Sequence, residues 1–439
     1  MYSIKKSAIQ QPASLIFVYL LGLSFTVLFV DRPGQSTLID ELFLLAMFPV
    51  ALIGIFRSYF SIGLPAKLIV VYFVVAAISS VISLVVRDDI PFAAPIMGLV
   101  LDTKFIIMLG ALLYLVQRSE KTSDEIMIDI CKAIVLIALI NSAFFLRDVF
   151  SSGTSLAGIR LGASNIYGYI PIGLFSHKLY TAALSSMALA AAVTLYLTSK
   201  KTRFLFAIAL FVLFLILSSS MKELGVLAGI IFIVARSLNN QKNKVSGGSK
   251  SLIFIGFFIV PAFAFIFGSD LERLVTNRVD VYLLEENARA ALHIKSAEIA
   301  TDYFPLGSGA GTFSSQPSRS IYFSPLYYEY GMTFFYGASE EQSSFLMDAG
   351  WPKFIAEAGW IGGGAYFLAY FIAALTLVIS FFKNPNAVNV FGIMISLLVF
   401  SSALGSAVFT GDIGLMMCAL LFFCRYLDKK HTGGMPKNN

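Results

Sequence analysis

Residues 66–86 read AKLIVVYFVVAAISSVISLVV. After Lys67 the stretch holds no charged side chain. At about 1.5 Å of rise per residue, a helix of this length spans about 30 Å, the thickness of a bilayer's hydrocarbon core. Similar apolar runs lie on both sides, at 13–30, 38–56, 92–117, 126–146, 178–198, 203–219, 221–236, 251–268, 354–382, 388–408 and 412–426. Lipid satisfies no open backbone group, so each of the twelve runs is expected to be a helix. Composition agrees. Of 439 residues, 57% are apolar and 13% charged, with mean hydropathy +0.80, against about 25% charge in soluble domains. Disordered chains are poor in aromatics, whereas aromatics here reach 14%. The expected fold class is an all-α polytopic membrane protein of about twelve transmembrane helices.

The basic residues orient the runs. With Lys5 and Lys6 inside, the inner connections hold Arg57, Lys67, Arg118, Lys121, Lys200, Lys201, Arg203, Arg236, Lys242, Lys244, Lys250 and Lys383. Arg425, Lys429, Lys430 and Lys437 join them at an inner C-terminus. The net charge of +6 is therefore read as membrane topology, and no nucleic-acid partner is expected. The run 13–30 lacks a small-residue cleavage site and reads as a retained span. The expected organisation is nine spans in 1–268, an outer loop over 269–353 with partial helix, three spans in 354–428 and a disordered inner tail over 429–439. A second long outer segment is 147–177. Residues 239–250 read as a flexible inner linker.

Cys131, Cys418 and Cys424 lie in apolar stretches, which offers no disulfide framework. His177, His293 and His431 show no ligand spacing, so no metal site and no cofactor is expected. Ionisable residues read inside spans are Asp102, Lys104, Asp129 and Lys132. Asp129 and Lys132 stand at i, i+3 and should pair. Lys104 needs a partner or a wet cavity.

The outer segments hold the chemistry. Glu286–Tyr303 reads as a helix with acids at its positive end, stopping before Pro305. Arg289, His293 and Ser296 share one face, either a solvated face or an anion site. Gly307-Ser-Gly-Ala-Gly311 follows, either a tight turn or a phosphate cradle of backbone N–H groups. Tyr322–Tyr336 is dense in Tyr and Phe, which suits an aromatic belt or a platform for sugar rings. Glu340, Glu341 and Asp348 come next. Lys222 sits in the outer turn Leu217–Gly225, paired with Glu223, snorkelling, or placed for function.

These features together resemble the bacterial O-antigen polymerase/O-antigen ligase family (Wzy-type polymerases and their ligase relatives). Leu217–Gly225 resembles the family's Ser-Arg-Gly helix start, with Lys222 where Arg is usual. Arg289 followed by Gly307–Phe313 resembles the Arg…Pro-x-Gly-x-Gly-x-x-Phe stretch of its large periplasmic loop. Asp348–Gly362 resembles the end of that loop and the start of the next span, and the late large outer loop is the fourth likeness. The ligases carry a histidine where this chain has Asp348, which leans the resemblance toward the polymerases. A further family pattern, Arg-x10-Gly, fits Arg147 and Gly158 at the rate expected by chance; Arg160 is an equal candidate in that segment.

The resemblance implies a glycosyltransferase of the bacterial inner membrane that polymerises undecaprenyl-diphosphate-linked oligosaccharide repeat units for surface polysaccharide. Lys222, Arg289 and Arg160 would bind the diphosphate, and Asp348 would act with Lys222 and Arg289 as the catalytic set. His293, Glu341 and Tyr328 are further candidates for base or sugar contact. Donor and acceptor lipid-linked glycans, membrane lipids and a chain-length regulator would be the partners. The alternatives are an O-antigen ligase acting on lipid A core and a lipid-linked oligosaccharide flippase.

Overall fold

The computed structural model describes residues 38–117, 119–150, 178–217, 288–347, 349–405, 409 and 412–432, with a few residues between 229 and 237. The runs 13–30 and 251–268, most of 221–236, the linker 239–250 and the tail beyond 432 lie outside the described residues. So do Arg160, Lys222 and Asp348.

Every regular element among the described residues is helical. In chain order, the first half gives α1 (Leu38–Ser58) running into the 3-10 turn Tyr59–Ile62, then α2 (Leu64–Val86), α3 (Ala93–Gln117), α4 (Ser123–Phe150), α5 (Lys178–Ser199) and α6 (Arg203–Leu217). The segment from residue 288 to 334 contributes α7 (Ala288–Asp302), α8 (Gln316–Ser320), α9 (Leu326–Glu329) and the 3-10 turn Met332–Phe334. The last third gives α10 (Trp351–Lys383), α11 (Ala387–Gly405) and α12 (Asp412–His431). Nine of the twelve apolar runs thus coincide with helices, shifted by a few residues at their ends.

Among the described residues, seven helices are long and apolar enough to cross a membrane: those containing Leu45–Ile62, Leu64–Val86, Ala93–Gln117, Ser123–Leu146, Tyr180–Ser199, Trp351–Lys383 and Ala387–Leu404. Large apolar side chains stay exposed along α2 (Val74, Val81, Val85) and α10 (Phe367, Phe371, Leu375, Ile379). Apolar stripes of that length need lipid around them. α6 has 15 residues, or about 22 Å, short of a full crossing. α12 carries Asp412 at one end and Arg425, Asp428, Lys429 and Lys430 at the other, which leaves Ile413–Cys424 as its apolar body. That body is buried on every side, and α12 touches α3, α4, α5, α10 and α11. A helix apolar all round belongs in a core, and α12 is the core of this bundle.

Small residues allow the closest crossing. A Cβ on Gly54 of α1 would lie 1.9 Å from the Gly110 carbonyl oxygen of α3, so these two backbones touch directly. The connections sort to two ends. At one end Gln117 donates to Ser58, Ser380 Oγ donates to Asp428 at 2.8 Å, and the Val388 N–H meets Asp124 at 3.4 Å. Arg57, Lys121, Lys383, Lys429 and Lys430 cluster at the termini and turns of this end. The opposite end, formed by the C-terminus of α2 and the N-termini of α3 and α10, carries the folded segment 288–347. That segment has its own small core of Leu292, Ile299, Phe313, Tyr327, Met332 and Leu346, closed onto Ala356 of α10. It is a cap rather than a strung-out loop.

Candidate functional site

The cap is seated by its glycines. Gly307, Gly309 and Gly311 take φ of 81°, 97° and 76°, a region open to glycine at no steric cost. A Cβ on Gly311 would fall 2.2 Å from the Ala94 carbonyl oxygen of α3, and one on Gly307 2.3 Å from the Gly359 nitrogen of α10. Gly359 answers with φ 63°, which breaks α10 just where the cap enters. The backbone groups are then spent on protein. Ser308 N–H donates to the Ala356 carbonyl and Gly309 N–H to the Glu357 carbonyl, both at 2.9 Å. Ala310 N–H donates to Ser80 Oγ at 3.0 Å and Phe313 N–H to Glu357 Oε1 at 3.2 Å. Ser79 Oγ and Ser83 Oγ of α2 donate to the Gly307 and Ser308 carbonyls at 2.9 and 2.6 Å. Of the two readings of Gly307–Gly311, the turn holds. With the Gly307 N–H, which donates to the Tyr303 carbonyl at 2.9 Å, four N–H groups of the stretch that a phosphate would need are taken, so it anchors the cap to three helices.

Under this anchor lies a buried charge network. Lys353 Nζ contacts Asp102 Oδ1 directly, and Tyr72 Oη donates to Asp102 Oδ2 at 2.5 Å. Lys353 Nζ is 4.0 Å from Glu357 Oε2. The residues come from α2, α3 and α10, and Asp102, Lys353 and Glu357 are each at most 3% exposed. Of these, the apolar runs mark Asp102 alone as a charge inside a span. The run 354–382 leaves Lys353 in the loop before it, but α10 starts at Trp351 and takes it inside. Glu357 lies within that run. The signal was available: Lys353 and Glu357 stand at i, i+4 in an otherwise apolar helix, and a charge in such a helix needs a partner. Lys104 is half-buried two residues from Asp102, hence on another side of α3. The Asp129–Lys132 pair forms as expected at 2.9 Å, and Lys121 joins it at 2.6 Å.

Arg289 and His293 share a face of α7, as expected. The Arg289 guanidinium lies over the Phe345 ring, 5.7 Å from its centroid. His293 Nε2 is 3.3 Å from the Leu404 carbonyl oxygen. A carbonyl only accepts, so Nε2 carries the hydrogen and donates. Leu404 is in the last turn of α11, where carbonyls lack intrahelical partners. Gly350 N–H caps the neighbouring Ala403 carbonyl at 2.9 Å. Burial pushes the imidazole of His293 below its ordinary pKa, partly offset by the Leu404 bond. His293 is therefore a neutral cap for α11, with Nδ1 as its basic nitrogen. Ser296 is buried and donates to the His293 carbonyl at 2.8 Å.

The aromatic stretch 322–336 divides. Tyr327 is buried, where its hydroxyl accepts the Ser314 N–H at 2.9 Å and shares a hydrogen bond with the Ser318 hydroxyl at 2.8 Å, while Phe334 and Tyr336 are 90% and 77% exposed. Tyr328 is exposed and donates to Glu340 at 2.8 Å, a bond that raises its pKa. Glu341 is exposed. The Tyr336 and Phe345 rings stand 5.9 Å apart, so an aromatic pair lies beside Arg289. Arg87, at the end of α2, binds Asp89 at 2.8 Å, Glu329 of α9 at 2.9 Å and the Tyr303 hydroxyl at 2.7 Å. It is a second tie between spans and cap. Of the residues singled out from sequence, Arg289 and His293 are brought together, Tyr328 and Glu341 sit on the cap's surface, and Lys222, Arg160 and Asp348 lie outside the described residues. A scan of the chain against protein-family models and a search of curated proteins found no match.

Proposed function

We propose that the chain polymerises undecaprenyl-diphosphate-linked oligosaccharide repeat units on the outer face of the bacterial inner membrane, with both termini inside. One observation carries the reading. Two stretches that bear the resemblance, Arg289 with Gly307–Phe313 and the described part of Asp348–Gly362, are separated in sequence yet pack as one body. The cap's amides bond the α10 carbonyls of Ala356 and Glu357, and α7 packs on α10. In this reading a sugar hydroxyl of the acceptor repeat unit attacks the anomeric carbon of the lipid-linked donor. The glycosidic bond forms, the bond to lipid diphosphate breaks, and the hydroxyl proton passes to a base. The leaving group is already a stable anion, so it needs cations more than a general acid. Arg289, with Lys222 and Arg160, supplies them, each cation contributing ~3 kcal/mol by electrostatic stabilisation. Asp348 serves as the base. The aromatic pair Tyr336 and Phe345 offers sugar C–H faces a surface next to the Arg289 guanidinium.

The glycan ladder of cells carrying Arg289→Ala tests the reading. The expected result is no polymer, with a trace restored by Arg289→Lys, since a lysine keeps the charge but not the two-pronged phosphate contact. Wild-type polymer from Arg289→Ala at normal protein abundance refutes it. In a deletion strain, lipid A core capped by a single repeat unit supports the polymerase, whereas an uncapped core moves the chain to the ligases.

A further inference from the structure

Two carboxyl groups and one ammonium group share the sealed interior beneath the cap. Asp102 is fully provided for, with Lys353 on one oxygen and the Tyr72 hydroxyl on the other. Glu357 is not. Its Oε1 accepts the Phe313 N–H at 3.2 Å, and its Oε2, fully buried, meets no hydrogen-bond partner. Lys353 lies 4.0 Å from that oxygen, committed to Asp102. The groups facing Glu357 are Tyr72 from α2, Asp102 from α3, Lys353 from its own helix, and Ser315, Tyr322 and Tyr327 from the cap. Lys353 is the single cation in this set. With both carboxylates ionised the cluster would hold a net negative charge at 0–3% exposure, which an apolar interior penalises heavily.

We propose that Glu357 is a proton-binding site, and that its proton decides which carboxylate holds Lys353. With the proton on Oε2, the cluster is neutral and Lys353 ties α10 to Asp102 of α3, the arrangement seen here. When the O–H bond breaks and the proton leaves to water, Glu357 becomes a second carboxylate within 4.0 Å of the ammonium and competes with Asp102 for it. Lys353 then turns to its i+4 neighbour on α10, and Asp102 is left with Tyr72. The α3–α10 tie opens directly below the seat of the cap, which rests on α3 through Gly311 and on α10 through Gly307. Proton occupancy is thereby coupled to how firmly the cap is held. This goes beyond the glycosyl-transfer reading and does not depend on it.

Infrared spectroscopy of the full-length protein in lipid nanodiscs at neutral pH tests the proposal. The expected spectrum has a protonated-carboxyl C=O band that shifts on 13C-glutamate labelling and not on 13C-aspartate labelling. Among the described residues Glu357 is the only fully buried glutamate, and the band should vanish in Glu357→Gln. It should also vanish in Asp102→Asn, which keeps Glu357 but frees Lys353 to neutralise it as a carboxylate. The isotope labels decide on the wild-type chain if either variant fails to fold. No such band in the wild type, a band that follows the aspartate label, or a band that survives Asp102→Asn each overturns the proposal.

Discussion

Lys353→Met removes the cation from a site where nothing can replace it. The side chains of Lys353 and Asp102 are 3% and 1% exposed, so solvent screening gives no discount. Removing one partner of a buried pair leaves an uncompensated charge and costs about 3–5 kcal/mol. Against a typical domain stability of about 5–15 kcal/mol, this is a large fraction. Tyr72 still donates to Asp102, which sets the loss toward the lower figure. Replacing both partners, with Asp102→Asn and Lys353→Met together, removes the charge itself and should restore most of the stability, because a neutral pair escapes the large desolvation penalty of buried ions. The chain provides its own reporter. Its two tryptophans are Trp351 and Trp360, both in α10. Trp351 packs against Phe409 at 4.7 Å between centroids, and Trp360 donates to Thr301 at 3.2 Å. Intrinsic fluorescence during sodium dodecyl sulfate titration of the purified protein therefore follows the site itself. A Lys353→Met midpoint equal to wild type, or a double variant no better than the single, refutes the reasoning.

Gly311→Ala should unseat the cap, since its Cβ would meet the Ala94 carbonyl at 2.2 Å with φ at 76°, whereas Gly364→Ala on the same bundle meets nothing within 4 Å and should be silent; limited proteolysis at Arg319 distinguishes them. His293 is held neutral by burial, so its folded pKa lies below the unfolded value of about 6.5. The stability it contributes is fully present above that value and falls as pH drops through the lower folded one; unfolding midpoints measured across this range should show the loss in wild type and not in His293→Gln, whose amide can still cap Leu404. Asp348→Asn should leave protein abundance unchanged and abolish polymer, because the shape is kept and only basicity is lost; a normal glycan ladder would shift the base to Glu341 or to Nδ1 of His293.

Apolar runs were enough to place nine helices, because burying an unbroken apolar stretch in lipid is a local property of the chain. The helix α7 was legible for the same reason: acids before its start and Pro305 after its end act within a turn of their own position. So was the Asp129–Lys132 pair, whose spacing lies within one helix. The centre of the site was not legible, because its partners are far apart in sequence. Asp102 and Lys353 are 251 residues apart, and His293 caps a carbonyl 111 residues away. The stretch Gly307–Gly311 shows the same limit from the other side. Its pattern permits a cradle for phosphate or a seat against helices, and both need the same positive φ. Only the approach of Ser80, Ala356 and Glu357 to its amides decided which, since a backbone N–H already bonded to protein has nothing left to offer an anion.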